Sequence, residues 1–112
     1  MKRALLLLAC SGALAQLACS PGDDITAPAP GTILVDIRDS FFQAKTVTVQ
    51  RGGHVRWTNR GKELHSVTGD ATVLRSPLMP PTTWFEAQFN ESGTFDYECS
   101  VHEEMTGTVI VQ

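Results

Sequence analysis

The segment Cys99-Ser100-Val101-His102-Glu103-Glu104-Met105 sets a thiol, an imidazole and a thioether at successive offsets of three. A tight loop can turn all of them toward one point. Thiolate and thioether donors select copper(I), and imidazole suits copper in either oxidation state. A fourth donor has to come from elsewhere in the chain. His65 is the candidate, because it follows the turn-rich stretch 59–64 and precedes a short strand-like run, Ser66-Val67-Thr68. Two histidines and a cysteine in a plane, with a long axial methionine, make a one-electron redox site. Such a site has no evident open position for a substrate. Zinc fits this set less well, since it does not favour thioether ligands.

Each of these residues has an ordinary reading when taken alone. A free cysteine is usually a buried core thiol, and a methionine is usually core filler. A lone loop histidine is commonly just solvated. The joint spacing of Cys99, His102 and Met105 is what raises the metal reading above these. His54 starts a strand on its polar side and is expected to be exposed. Met79 sits among Pro77, Pro80 and Pro81 and is expected to be an apolar rim residue. Taking it as the axial donor would strand Met105.

The elements that must position these donors read as strands. Val47 and Val49 alternate with threonines, and Val55 and Trp57 alternate with His54, Arg56 and Thr58. Phe85, Ala87 and Phe89 alternate with polar residues, as do Phe95, Tyr97 and Cys99, and Val109 and Val111 close the chain. A period of two with one apolar face predicts half-buried antiparallel strands. Gly52-Gly53, Asn59-Arg60-Gly61, Gly69-Asp70 and the stretch 90–93 supply turns, and no run has a helical period. The expectation is an all-β sandwich of seven to eight strands over residues 32–112. Its core is expected to hold Ile33, Val35, Phe42, Val47, Val49, Val55, Trp57, Phe85, Phe89, Phe95, Tyr97, Val109 and Val111. A domain this small has little stability to spare, and a bound metal would add some.

The start of the chain has a different character. Met1-Lys2-Arg3 precedes an almost wholly apolar run to Ala18, which reads as a secretory signal over residues 1–18. Ala13-Leu14-Ala15 fits an ordinary cleavage site. Leu17-Ala18-Cys19 resembles the end of a bacterial lipobox, in which the cysteine is lipidated. Residues 19–31 are rich in proline, glycine and alanine and read as a flexible tether. The chain is therefore expected to be exported to the periplasm or cell envelope, with a membrane link only through Cys19. Of three cysteines, Cys99 alone belongs to the folded part, so it has no disulfide partner there.

With those residues in place, the chain resembles the plastocyanin/azurin family of cupredoxins. Phe42-x-Ala44-x-x-Val47-x-Val49 is similar to the family's opening strands, with alanine where proline is usual. Gly53-x-Val55-x-Trp57-x-Asn59 is similar to the strand that leads to the first histidine. Gly93-Thr94-Phe95-x-Tyr97-x-Cys99-x-x-His102 and Met105-x-Gly107-x-Val109-x-Val111 complete the likeness, and the C-x2-H-x2-M spacing is of the amicyanin type. The resemblance implies a Greek-key β-sandwich and one type 1 (blue) copper ion on His65, Cys99, His102 and Met105. It also implies that Ser66 ties the two ligand loops together. The implied function is a one-electron carrier outside the cytoplasmic membrane, not an enzyme. Its expected partner is a redox protein such as a c-type cytochrome or a dehydrogenase. A copper storage or delivery protein of the cell envelope is the second expectation.

Composition narrows the field further. The 112 residues suffice for one domain, and the net charge of -3 gives no reason to expect a nucleic-acid partner. A copper oxidase or nitrite reductase would need further copper centres, and the chain has only three histidines. A monomer is expected. One departure from the family is Glu103-Glu104, where proline with glycine or phenylalanine is common. Two carboxylates near His102 favour a basic partner surface. They should also stabilise Cu(II) over Cu(I), with solvent screening the effect. Replacing both with glutamine is expected to raise the reduction potential of the copper-loaded protein. Protein-film voltammetry checks this, and an unchanged potential refutes it.

Overall fold

A computed structural model describes residues 27–112. The expected signal, both candidate cleavage sites, Cys19 and the tether up to Thr26 lie outside the described residues. Residues 29–32 form a turn, closed by the Thr32 N–H to the Ala29 carbonyl at 3.1 Å. Eight strands follow: β1 (Ile33–Ile37), β2 (Phe42–Gln43), β3 (Thr46–Val49), β4 (Gly53–Asn59), β5 (Thr68–Gly69), β6 (Trp84–Phe89), β7 (Gly93–Glu98) and β8 (Thr106–Val111). They form two four-stranded sheets, in the orders β2-β1-β4-β6 and β3-β8-β7-β5. No helix occurs among the described residues. The expected all-β sandwich of seven to eight strands is therefore what the chain adopts.

The period-two pattern places its apolar face between the sheets. Trp57 is fully buried at the centre and meets Tyr97 edge-on across the sandwich, with ring centroids 5.4 Å apart. Phe42 meets Tyr97 from another side, 4.8 Å away and also edge-on. Edge-to-face packing of this kind adds to the burial of the rings themselves.

Two expectations need correction. The strands are not all antiparallel, because β1 pairs parallel with β4 and β3 pairs parallel with β8. Alternation reports which face is buried and carries no information on strand direction. The core also differs in membership. Ile33, Val47, Phe85 and Phe95 are only partly buried, whereas Ile37, Val67, Leu74 and Met79 are fully enclosed or nearly so. The last three lie outside the strands at the end of the sandwich; of the expected run Ser66-Val67-Thr68 only Thr68 joins β5, and Val67 is buried just before it. Met79, expected at the rim, is 2 % exposed and belongs to this core.

Register brings Gly107 opposite Tyr97. A Cβ at Gly107 would overlap the Tyr97 ring and hydroxyl. Since the ring is itself wedged between Phe42 and Trp57, it has little room to yield. Gly107→Ala is therefore expected to destabilise the fold by about 1–3 kcal/mol. Denaturant unfolding followed by tryptophan fluorescence measures this.

Candidate metal centre

Cys99 is the first residue after β7 and Met105 the last before β8, so the strand ends fix both ends of the loop between them. The loop is closed by backbone. The Cys99 N–H donates to the Met105 carbonyl at 2.9 Å, and the Met105 N–H donates to the His102 carbonyl at 3.0 Å. Met105 is 2 % exposed and Cys99 fully buried, while the His102 ring stays partly exposed.

His65 arrives from the β4–β5 loop. Its backbone pairs with that of Met79, at 3.2 Å from the His65 N–H and 2.8 Å to its carbonyl. Asn59, at the end of β4 and fully buried, holds the same region. Its Nδ2 donates to the Met79 and Glu63 carbonyls, both at 2.8 Å, and its Oδ1 accepts from the Gly61 N–H at 2.9 Å. Met79 is thus not a rim residue but part of the frame of His65.

The side chains converge. His65 Nδ1 lies 3.6 Å and His102 Nδ1 3.8 Å from Cys99 Sγ. The donor atoms of His65, Cys99 and His102 all lie within 4.8 Å of one another. Met105 enters the same loop buried. Ser66 does link the two loops: its Oγ accepts from the Ser100 N–H and lies against the Ser100 hydroxyl, both at 2.8 Å. The Ser66 N–H also donates to Cys99 Sγ at 3.4 Å. His54 lies elsewhere, on the outer face of β4, half-exposed and 3.0 Å from Glu86.

Burial pushes the Cys99 thiol up. The His102 and His65 imidazoles and the N–H groups of Ser66 and Val101 outweigh that and bring it down to about 7. Contact with Cys99 is the main reason the His102 imidazole is raised above its ordinary value, with Glu63 adding to it. A thiol poised to ionise, two imidazoles and a buried thioether are a donor set that fits copper and not a hard cation.

Two residues of the site were not legible in the sequence. Asp39, in the β1–β2 loop, places Oδ1 3.0 Å from His65 Nε2. Its carboxylate also accepts from the Lys62 N–H at 2.9 Å and the Glu63 N–H at 3.1 Å. Glu63 Oε1 lies 2.9 Å from His102 Nε2. Asp39 is far from His65 in sequence and carries no local motif. Glu63 stands two residues before His65, a spacing with no signature of its own. Carboxylates on the far nitrogen of a ligating histidine are a recurring feature of metal sites.

The two-sheet sandwich, with a Cys-His-His donor set gathered at one end, is that of a cupredoxin. No family model matches the chain. Amicyanin of Paracoccus denitrificans is 34% identical over 110 residues, covering 91% of this chain and 84% of that protein. Amicyanin-alpha of Methylorubrum extorquens is 30% identical over 110 residues, covering 94% and 92%. Among solved structures, the Cu(I) form of an amicyanin variant superimposes with a TM-score of 0.71 at 34% identity, covering 78% of this chain and 88% of that one. The chain belongs to the amicyanin family of blue copper proteins. It is a type 1 copper electron carrier and not an enzyme, and copper storage or delivery is not favoured.

Asp39 also ties the site to pH. The hydrogen bond with His65 is the largest reason its carboxyl falls from 3.8 to about 2, and the Lys62 and Glu63 N–H groups add to this. A carboxylate depressed by folding adds stability above its unfolded value and loses it as pH falls through the folded value. The metal-free protein should therefore lose stability between about pH 4 and about pH 2 more steeply than Asp39→Asn. Denaturant midpoints measured across that window check the difference.

Proposed function

We propose that His65, Cys99, His102 and Met105 hold one copper ion and that the protein passes single electrons between redox proteins outside the cytoplasmic membrane. The observation that carries this is the convergence of His65 Nδ1 and His102 Nδ1 on the buried Cys99 Sγ. When bound there, copper supplies a one-electron couple. The chain's own residues do the rest. Cys99 presents a thiolate that the His102 and His65 imidazoles, and then the neighbouring N–H groups, help to ionise. His65 is held on its far nitrogen by Asp39, and Ser66 locks the β4–β5 loop to the β7–β8 loop. A site braced on both sides rearranges little when its charge changes, which suits fast electron exchange.

His102 is the donor nearest solvent, its side chain 33 % exposed, so its edge is the natural port for a partner. Leu64 and Val101 are exposed apolar side chains flanking His65 and His102 in the chain, and Glu63, Glu103 and Glu104 add carboxylates. A redox protein with a basic rim, such as a c-type cytochrome or a dehydrogenase, complements this end. The basic start and apolar run before Ala18 support export, and Leu17-Ala18-Cys19 supports a lipid anchor at Cys19 with the tether beyond it. A monomer with the domain spanning residues 32–112 fits this role.

The copper-loaded protein is expected to be blue, with an intense visible charge-transfer band from the Cys99 thiolate to Cu(II). Cys99→Ser should abolish that band while leaving the sandwich folded. Absorption and circular dichroism spectra together check this. Stoichiometric Cu(II) binding without the band in the parent protein would overturn the ligand assignment.

A further inference from the structure

The two ring nitrogens of His102 face different neighbours. Nδ1 points at Cys99 Sγ, 3.8 Å away, and Nε2 at Glu63 Oε1, 2.9 Å away. An imidazole that offers the Nδ1 lone pair to a metal carries its proton on Nε2. A carboxylate is a strong acceptor for that proton. The contact also joins the β4–β5 loop, which holds Glu63, to the β7–β8 loop, which holds His102.

An ion pair between two freely moving surface side chains contributes little. Glu63 differs because its main chain is held on both sides. Its N–H donates to Asp39 Oδ1 at 3.1 Å, and its carbonyl accepts from the buried Asn59 Nδ2 at 2.8 Å. The entropy left to lose in the contact is that of the Glu63 and His102 side chains, with the Glu63 main chain already fixed. The same Asp39 oxygen stands 3.0 Å from His65 Nε2. Each histidine is thus backed by a carboxylate, and the two carboxylate residues are themselves bonded to each other. Glu103 and Glu104, although adjacent to His102 in the chain, are exposed. Among the described residues, the carboxylate that meets the His102 ring is that of Glu63.

We propose that Glu63 is a positioning residue for His102, holding its Nδ1 toward the metal and favouring Cu(II) over Cu(I). This rests on the copper assignment made above. It assigns to a loop residue outside the ligand set both the orientation of the exposed ligand and part of the tuning of the potential. The hydrogen bond fixes the ring, and the negative charge favours the more positive ion.

The test compares the parent full-length protein with Glu63→Gln, Glu63→Ala and Glu104→Gln. The potential of the copper-loaded forms is read by voltammetry. Glu63→Ala is expected to weaken Cu(II) binding relative to Cu(I) by about tenfold, a rise of roughly 59 mV for a one-electron couple. Glu63→Gln keeps an acceptor for the Nε2 proton and should fall between parent and alanine. Glu104→Gln removes an equal charge without the contact and should shift the potential by less than half as much. In the metal-free proteins, amide hydrogen exchange at 101–104 should speed up roughly two- to fivefold in Glu63→Ala. Equal shifts in Glu104→Gln and Glu63→Ala, no difference between Glu63→Gln and Glu63→Ala, or unchanged metal-free exchange would each overturn the proposal. If the parent protein lacks the blue band, the copper assignment fails separately, and the exchange measurement alone decides whether Glu63 holds His102.

Discussion

A thiol and an imidazole taken out of water have to satisfy one another or a metal. Cys99 and His65 are both fully buried, and their donor atoms face each other at 3.6 Å. Burial of a polar group without a partner is costly, so this end of the sandwich can close only if the loops bring the donors together. The rest of the site follows from that requirement. The Cys99 backbone closes its own loop onto Met105, and the Ser66 N–H points at the sulfur. The same contacts that satisfy the buried atoms also draw the thiol toward ionisation.

The sandwich supplies the frame on which this depends. β7 and β8 pair in register from Gly93 opposite Val111 to Glu98 opposite Thr106, so the loop leaves and re-enters neighbouring strands. From the other sheet, β4 delivers Asn59, whose side chain bonds three backbone groups around the His65 loop. Losing such a buried amide would leave several polar groups unmatched, at about 1–3 kcal/mol each. Neither loop is independent of the other. Ser66 and Ser100 join them beside the Cys99 sulfur, and Glu63 and His102 join them at the surface.

The outer face of the β2-β1-β4-β6 sheet obeys the same rule with different chemistry. Arg56 lies in β4, nearly buried, where its guanidinium is 2.9 Å from Glu86 and 3.7 Å from the centre of the Trp84 ring. Glu86 is shared with His54 on the same face. Pairing charges across adjacent strands allows an arginine to lie flat on the sheet beneath an aromatic ring.

The sequence by itself determined the strand faces, the turns and the Cys99, His102, Met105 spacing, because these are local: alternation sets which side of a strand is buried, and offsets of three suit a tight loop. His65 was legible through its place between a turn-rich stretch and a strand, and through resemblance. Strand direction, the burial of Val67, Leu74 and Met79, and the carboxylates of Asp39 and Glu63 were decided only in three dimensions. Parallel pairing of β1 with β4 and of β3 with β8 depends on how the chain crosses between sheets, which no periodicity encodes. Asp39 reaches His65 from the β1–β2 loop, and Glu63 reaches His102 from the β4–β5 loop. Contacts between segments far apart in the chain depend on the closure of the whole sandwich, and only the tertiary structure carries that.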